Sequence, residues 1–289
     1  MTQYENTHDL SLITKRLEDK WENATLANNF IFYKVMRHHP DALKHLIELL
    51  LNIKVKALEF VNEETIDIDA GAKGIRLDIY AYDSDRVFDV ELQLSKAKDL
   101  PKRARYYQGV MDVDSLKPGQ KYSVLKESHV IFICFTDVFK NNLPISNFRY
   151  ICDEDGTTEF GDCSYKHFFN AIKCAKLETL DEKARAFFKF LCGEAATDSF
   201  TSKLSAYVTD AKKNTQWRQQ FMWMEAQRAY DYDDGMEVGI LKGKEIGLLE
   251  GSRQKAEETA RNALDMGLSV EQISKLTGLS VEEIEDLRS

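Results

Sequence analysis

The chain has 289 residues, a formal net charge of -9 at pH 7 and 43% apolar residues, enough for one well-packed domain with smaller helical pieces. No stretch approaches the roughly 18 apolar residues of a membrane helix, and the polar N-terminus lacks the apolar region of a signal peptide. The five cysteines form no Cys-x-x-Cys pair, which argues against a disulfide framework and a zinc site. We therefore expect a cytoplasmic protein without a membrane partner.

The N-terminal part of the chain predicts two helices and a strand. The first helix ends near His38, because helical backbone is disfavoured before Pro40. The second covers residues 42–53, with Asp41 as its predicted N-cap and leucine and isoleucine at helical spacing. Residues 54–68 then predict a first strand and a connection to the next segment.

Residues 75–94, IRLDIYAYDSDRVFDVELQL, form the stretch around which we expect the fold to be organised. Apolar and polar residues alternate on both sides of the turn sequence DSDR at 83–86, as in two half-buried strands of a hairpin. In a hairpin symmetric about this turn, Asp78 lies opposite Glu91. Both carboxylates then share one face of the sheet.

This pairing predicts a site for a divalent cation. Directly opposed residues have Cβ atoms about 5 Å apart, so two carboxylates repel each other unless a cation compensates them. Hard oxygen ligands, with the remaining positions left to water and phosphate, are suited to Mg²⁺. Asp89 and Gln93 lie on the same face as Glu91. The alternative is an exposed sheet face whose polar residues only meet water.

A basic segment follows the hairpin. Residues 96–126 hold eight basic and three acidic side chains, whereas residues 231–289 hold 14 acidic and 7 basic ones and carry most of the net negative charge. Cations beside an acidic metal site are suited to contact with a phosphate backbone. The alternative is a solvated helix face.

Within the basic segment, residues 100–116 predict a helix. Arg103, Tyr106 and Tyr107 fall on one side of it, at positions i, i+3 and i+4. Arg103 and Tyr106 on this side are candidate residues for binding a phosphate, with the planar guanidinium as the main donor, and Arg105 of the same basic segment is a third candidate. The alternative is that the tyrosines only pack.

The next segments predict an α/β core followed by helices. Residues 130–135, VIFICF, are apolar without alternation, which is typical of a central strand buried on both faces. The turn sequence DEDG at 153–156 predicts a second hairpin within residues 148–170. From residue 179 onward the spacing of apolar residues is helical.

The order of these motifs resembles the PD-(D/E)XK nuclease superfamily, and within it the Rpn-type recombination-promoting nucleases, also labelled transposases. An Asp in one strand, a short turn and Glu-x-Gln in the next strand match the active-site core, with Gln93 in place of the usual Lys. Residues 103–139 and the glycine-spaced C-terminal helix also resemble this family. The resemblance implies a restriction-endonuclease-like α/β core, with a mixed central sheet flanked by helices, and a C-terminal helical tail.

The resemblance also implies an Mg²⁺-dependent DNA endonuclease, with Mn²⁺ as a substitute, that promotes recombination or acts with mobile elements. Asp78, Glu91 and Gln93 are its predicted catalytic residues, and the two carboxylates would hold the metal that activates water. Gln93 is unable to act as a base near pH 7. Glu48 is a further candidate acid, because the helix before the sheet can supply one in this superfamily; alternatively it faces solvent.

Two alternatives to a DNA endonuclease remain. One is a catalytically inactive nuclease fold that acts as a DNA-binding or protein-interaction module. The other is a transposase proper, which would require strand transfer.

The C-terminal region predicts an association surface. Five glycines recur at every fourth position from Gly235 to Gly251, and each costs a helix about 1 kcal/mol relative to alanine. We interpret them as a tight helix contact between two copies of the chain; the alternative is a frayed linker helix. Residues 268–289 have the outline of a helix-turn-helix, but acidic residues on the second helix favour an interaction hairpin over DNA contact.

These features predict four parts of the chain. Residues 1–177 form the nuclease domain and residues 178–230 a helical extension. Residues 231–262 form the glycine-spaced helix, which would make the homodimer, and residues 263–289 a short helical hairpin.

Overall fold

The computed structural model describes residues 10–60, 65–66, 75–76 and 79–287. The chain divides into two compact units, Met1–Met222 and Trp223–Ser289. The described helices are α1 (Leu10–Glu22), α2 (Asn29–His38), α3 (Pro40–Leu51), α4 (Leu100–Ser115), α5 (Ala171–Cys174), α6 (Glu182–Leu191), α7 (Ser199–Lys213), α8 (Thr215–Asp265), α9 (Val270–Thr277) and α10 (Val281–Asp286). The described strands are β1 (Glu59–Phe60), β2 (Thr65–Ile66), β3 (Ile75–Arg76), β4 (Tyr80–Tyr82), β5 (Arg86–Gln93), β6 (Glu127–Cys134), β7 (Ile145–Phe148) and β8 (Ser164–Asn170).

The described strands of the first unit form a mixed six-stranded sheet in the order β1-β4-β5-β6-β8-β7, with β2 and β3 paired separately. The central pairs β5–β6 and β6–β8 are parallel, whereas the outer pairs are antiparallel. Helices flank this sheet, and a helical tail follows it. The predicted α/β fold class is therefore confirmed.

The central hairpin has the register predicted from a turn of residues 83–86. The paired residues are Tyr80–Asp89, Ala81–Phe88 and Tyr82–Val87. The Asp83 carboxylate holds the turn, because it accepts hydrogen bonds from the backbone N–H groups of Asp85 and Arg86. Asp78 lies outside the described residues, so its pairing with Glu91 stays a prediction.

Helices cover both faces of the sheet at its centre. Helix α4 packs against β6 and β8 on one face, where Tyr107 stacks on Phe132. On the other face, Phe169 of β8 packs on Phe188 of α6, and the Asn29 side chain in α2 donates a hydrogen bond to a β5 carbonyl. As predicted for residues 130–135, β6 is buried on both faces.

Three local predictions meet different outcomes. The Asp41 cap is wrong: α3 begins at Pro40 with His39 as its N-cap, because proline at the first position has a suitable φ and lacks an N–H that would need a partner. Among the described residues of 54–68, the predicted first strand is present as β1, and Thr65–Ile66 form the further strand β2. The second hairpin is confirmed by the antiparallel β7–β8 pair and by the bridge between Ile151 and Glu159.

In the second unit, the glycine-spaced segment is helical and lies within α8. Ser269 and Ser280 begin α9 and α10 with the predicted capping boxes, and Gly278 separates these helices with a φ of 75°. The last turns of α8 pack with both helices around Ile273 and Ile284. None of the described helices has the length and apolar character needed to cross a membrane.

Candidate active site

Strand β5 places its polar residues beneath α4. Glu91 is in register with Phe132 of β6, and Phe132 belongs to the apolar cluster that packs on α4. Neighbouring strands in register direct their side chains to the same face. Since side chains alternate along a strand, Asp89 and Gln93 lie on the face of Glu91, at the carboxyl-terminal half of the strand.

The carboxylates on this face are buried. Asp89 is fully buried, and the Glu91 side chain is 4% exposed. The alternative of an exposed polar sheet face is therefore wrong, because α4 covers the residues that the alternating pattern assigned to solvent. Buried carboxylates need hydrogen bonds or cations nearby, since leaving water is costly for a charge.

Arg103 of α4 is the cation beside Glu91. Its Nη2 lies 3.5 Å from Glu91 Oε2, and its Nη1 donates a 3.1 Å hydrogen bond to Gln93 Oε1. Its Nη2 and Nε donate to the Tyr107 hydroxyl at 2.9 and 3.3 Å. The Gln93 amide is oriented in turn, because its Nε2 donates to the Ser95 carbonyl at 2.7 Å. Glu91, Gln93, Arg103 and Tyr107 are called the Arg103 cluster below.

The electrostatics of the Arg103 cluster keep its guanidinium charged and its phenol neutral. Burial alone would lower the pKa of Arg103, but the Tyr107 hydroxyl and the Glu91 charge raise it above its ordinary value. The pKa of Tyr107 is raised by burial and then by Glu91. The cluster thus presents one cation and one carboxylate side by side, with a third of the Arg103 side chain open to solvent.

The other candidate residues have different surroundings. Tyr106 is 39% exposed, and the hydroxyl that binds Arg103 belongs instead to Tyr107. The i, i+4 spacing from Arg103 indicated Tyr107, although it is not among the predicted phosphate-binding residues. Arg105 is exposed and lines a separate cavity. Glu48 is half-buried and accepts a 3.0 Å hydrogen bond from the Val55 backbone N–H, so it does not simply face solvent.

The donor set on this face fits a hard divalent cation. Asp89 and Glu91 bring carboxylate oxygens to one side of β5, and such oxygens are the ligands that Mg²⁺ and Mn²⁺ accept. Within the described part of the chain, no group of three or more His, Cys, Asp or Glu side chains is placed to hold a metal ion. Asp78, the predicted partner of Glu91, lies outside that part.

Two known protein families match the chain. Residues 28–232 match the family described as PD-(D/E)XK nuclease family transposase. Residues 253–289 match the C-terminal HTH domain of the Rpn/YhgA-like nuclease family, in agreement with the predicted helix-turn-helix outline. Searches of curated proteins and of solved structures each gave no significant match.

Proposed function

The chain belongs to the PD-(D/E)XK nuclease family transposases, and we propose that it is a metal-dependent DNA endonuclease that hydrolyses phosphodiester bonds. The observation that carries this proposal is the Arg103 cluster. It brings a buried carboxylate, an amide and a forked cation to the carboxyl ends of two parallel strands. Ligand sites of α/β sheets commonly lie at such strand ends.

In this proposal Asp78 and Glu91 hold Mg²⁺, with Mn²⁺ as a substitute. When bound there, the metal would supply positive charge beside the phosphate and a lowered pKa for a water held next to it. Arg103 keeps its Nε and Nη2 on Tyr107 and Glu91 and one Nη1 N–H on Gln93, and it directs the remaining Nη1 N–H to the substrate phosphate.

Gln93 acts as a positioning residue in this scheme. Its amide oxygen accepts from Arg103 while its amide nitrogen is held by Ser95, so the side chain fixes where the guanidinium lies. An amide does not take a proton near neutral pH, so Gln93 does not act as the general base. We assign a substrate phosphate as the acceptor of the proton that the attacking water loses. Replacing Gln93 by lysine would place a second cation where Arg103 now finds an acceptor.

The match to an HTH domain favours DNA contact over the interaction hairpin expected from the sequence, and we assign that contact to surfaces other than α10. The family match supports DNA as the partner. Helix α10, however, carries Glu282, Glu283, Glu285 and Asp286, and this charge would repel phosphates at a groove. A role in recombination or with mobile elements is in keeping with the transposase description, and the cytoplasmic location stays a prediction.

We also propose that α8 forms a homodimer through its glycines. The five glycines from Gly235 to Gly251 are helical, and apart from the adjoining backbone of α8 itself a Cβ built on any of them meets no described atom within 4 Å. Packing within the described chain therefore does not explain their cost in helix stability. Exposed apolar side chains accompany them, among them Ile240, Leu248 and Leu249. A second copy of α8 would cover both features.

The endonuclease proposal is tested by nicking of supercoiled plasmid with Mg²⁺, Mn²⁺, Ca²⁺ or a chelator. We expect nicking with Mg²⁺ or Mn²⁺ and its loss in Asp78→Asn and Glu91→Gln. Glu182→Gln removes the same charge from an exposed position in α6 and should nick like the parent. If folded Glu91→Gln also nicks like the parent, the activity does not belong to this site, and the binding-module alternative is favoured.

A further inference from the structure

A second cavity lies on the same sheet face as the Arg103 cluster. Its volume is about 300 Å³, which reaches the size of small-ligand sites. Helix α4 separates it from the cluster, since Arg103 and Arg105 leave the helix in different directions. The cavity is lined by Pro101, Ala104, Arg105, Phe139, Phe148, Arg149, Tyr150, Lys166 and Phe168.

The floor and wall of this cavity are aromatic and partly open to solvent. Phe148 is 42% exposed and Tyr150 is 53% exposed. Phe148 is supported from behind, because its ring lies 4.7 Å from that of Phe139 and 5.8 Å from that of Phe168. Supported aromatic faces that remain open are the platforms on which unpaired nucleobases stack.

The charged residues lining the cavity are all cations. Arg105 makes no ion pair with any described residue, and Lys166 lies 5.2 Å above the Tyr150 ring. Arg149 pairs with Glu159 at 3.1 Å, but both side chains are more than half exposed. Positive charge at an aromatic pocket complements a nucleotide, which combines a flat base with a phosphate.

The position of the cavity relates it to the Arg103 cluster. Phe168 is in register with Phe132, and Phe132 with Glu91, so the cavity begins two strands from the carboxylate, or about 10 Å. The first turns of α4 border both sites, since Arg103 belongs to the cluster while Pro101, Ala104 and Arg105 line the cavity. A DNA strand with one phosphate at the cluster could therefore place a neighbouring nucleotide in the cavity.

We propose that this cavity binds one unpaired nucleotide of the DNA substrate, with its base on Phe148 and Tyr150 and its phosphate at Arg105 and Lys166. The inference rests on the proposed function for its choice of DNA. A base stacked in a duplex has no free face to offer. The cavity therefore selects single-stranded or locally opened DNA.

The test measures binding of the full chain, without metal, to a fluorescein-labelled oligothymidylate of 12 nucleotides and to a duplex of the same length. The variants Phe148→Leu and Tyr150→Leu keep apolar bulk but remove the aromatic face. Since a stacked base contributes about 1–3 kcal/mol, we expect each to weaken single-strand binding about 5- to 150-fold. Duplex binding should change less than about twofold, as should both affinities of Tyr122→Leu, which alters an exposed aromatic residue outside the cavity.

Unchanged single-strand affinity in both folded variants would overturn the proposal, as would a parent chain that does not bind the oligothymidylate. An equal loss on both DNAs would also overturn it, since the cavity would then not select unpaired bases. Because binding is measured without metal, this experiment does not depend on cleavage. A chain that binds DNA with the predicted affinities but never nicks it would support the proposed nucleotide site and refute the endonuclease proposal.

Discussion

Removing the charge of Arg103 should destabilise the folded chain through Glu91. The two side chains are 33% and 4% exposed, and Nη2 lies 3.5 Å from Oε2. At this distance two unit charges interact by about 5 kcal/mol at an effective dielectric constant of about 20, and by about 1 kcal/mol in water. Since solvent reaches a third of Arg103 and screens the pair, we expect a coupling free energy of about 2 kcal/mol.

A double-mutant cycle isolates this coupling from the other contacts of Arg103. Arg103→Met, Glu91→Gln and the double variant are compared with the parent by urea denaturation at pH 7.5. Arg103→Met alone should cost about 3 kcal/mol, because it leaves a buried carboxylate without its guanidinium. In the Glu91→Gln background the same change should cost about 2 kcal/mol less. The matched control is Arg105→Met in the same helix, where we expect a change within about 0.5 kcal/mol.

The size of the coupling decides the outcome. A value within about 0.5 kcal/mol of zero would equal the scatter of independent sites and would refute the view that Arg103 compensates Glu91. The Arg103 cluster would then be a set of neighbours without energetic connection.

Three further results are expected. Burial holds the pKa of His129 at about 4, below the ordinary 6.5, so the unfolded chain binds the proton first as pH falls. His129 should therefore contribute a loss of about 2 kcal/mol in the free energy of unfolding from pH 7 to pH 5, in addition to the loss from the neighbouring His167, whose pKa burial lowers to about 3. Urea titrations of the parent and of His129→Asn measure this contribution, and an unaltered pH dependence in the variant would contradict it. Mg²⁺ or Mn²⁺ at about 100 times its dissociation constant should raise the free energy of unfolding by about 2.7 kcal/mol, as measured by thermal melting. If Glu91→Gln shows the same gain in stability, the metal binds elsewhere. Gly243→Leu should convert the dimer to a monomer in light scattering while helicity is kept, because leucine favours a helix but blocks close approach of a second one. Lys242→Ala is the control and should remain a dimer. A Gly243→Leu variant that is still dimeric would exclude Gly243 from the contact.

Local sequence patterns were sufficient for several elements of this fold. The turn at residues 83–86 predicted the register of the hairpin, which the pairs from Tyr80 to Val87 confirm. The apolar run at 130–135 predicted a strand buried on both faces, and residues 100–116 predicted α4. These predictions succeeded because turn geometry and side-chain periodicity depend on residues close together in the chain.

Helix boundaries and the choice between neighbouring side chains were less well predicted. Asp41 was an acceptable cap by residue type, but the helix begins at Pro40, two residues before the predicted first residue Ala42. Tyr106 and Tyr107 were both compatible with a position near Arg103, and the placement of α4 on the sheet brings the hydroxyl of Tyr107 to the guanidinium. Single-residue differences of this kind depend on how an element docks.

By itself, the sequence determined which residue types share a strand face, since alternation along β5 necessarily groups Asp89, Glu91 and Gln93. Only the tertiary structure decided that this face is buried and that Arg103 lies within 3.5 Å of Glu91. The same packing placed Arg105 in a separate aromatic cavity. Burial and ion pairing depend on which helix covers the sheet. The contact between α4 and β5 joins residues whose separation in the sequence does not reveal how close their side chains lie.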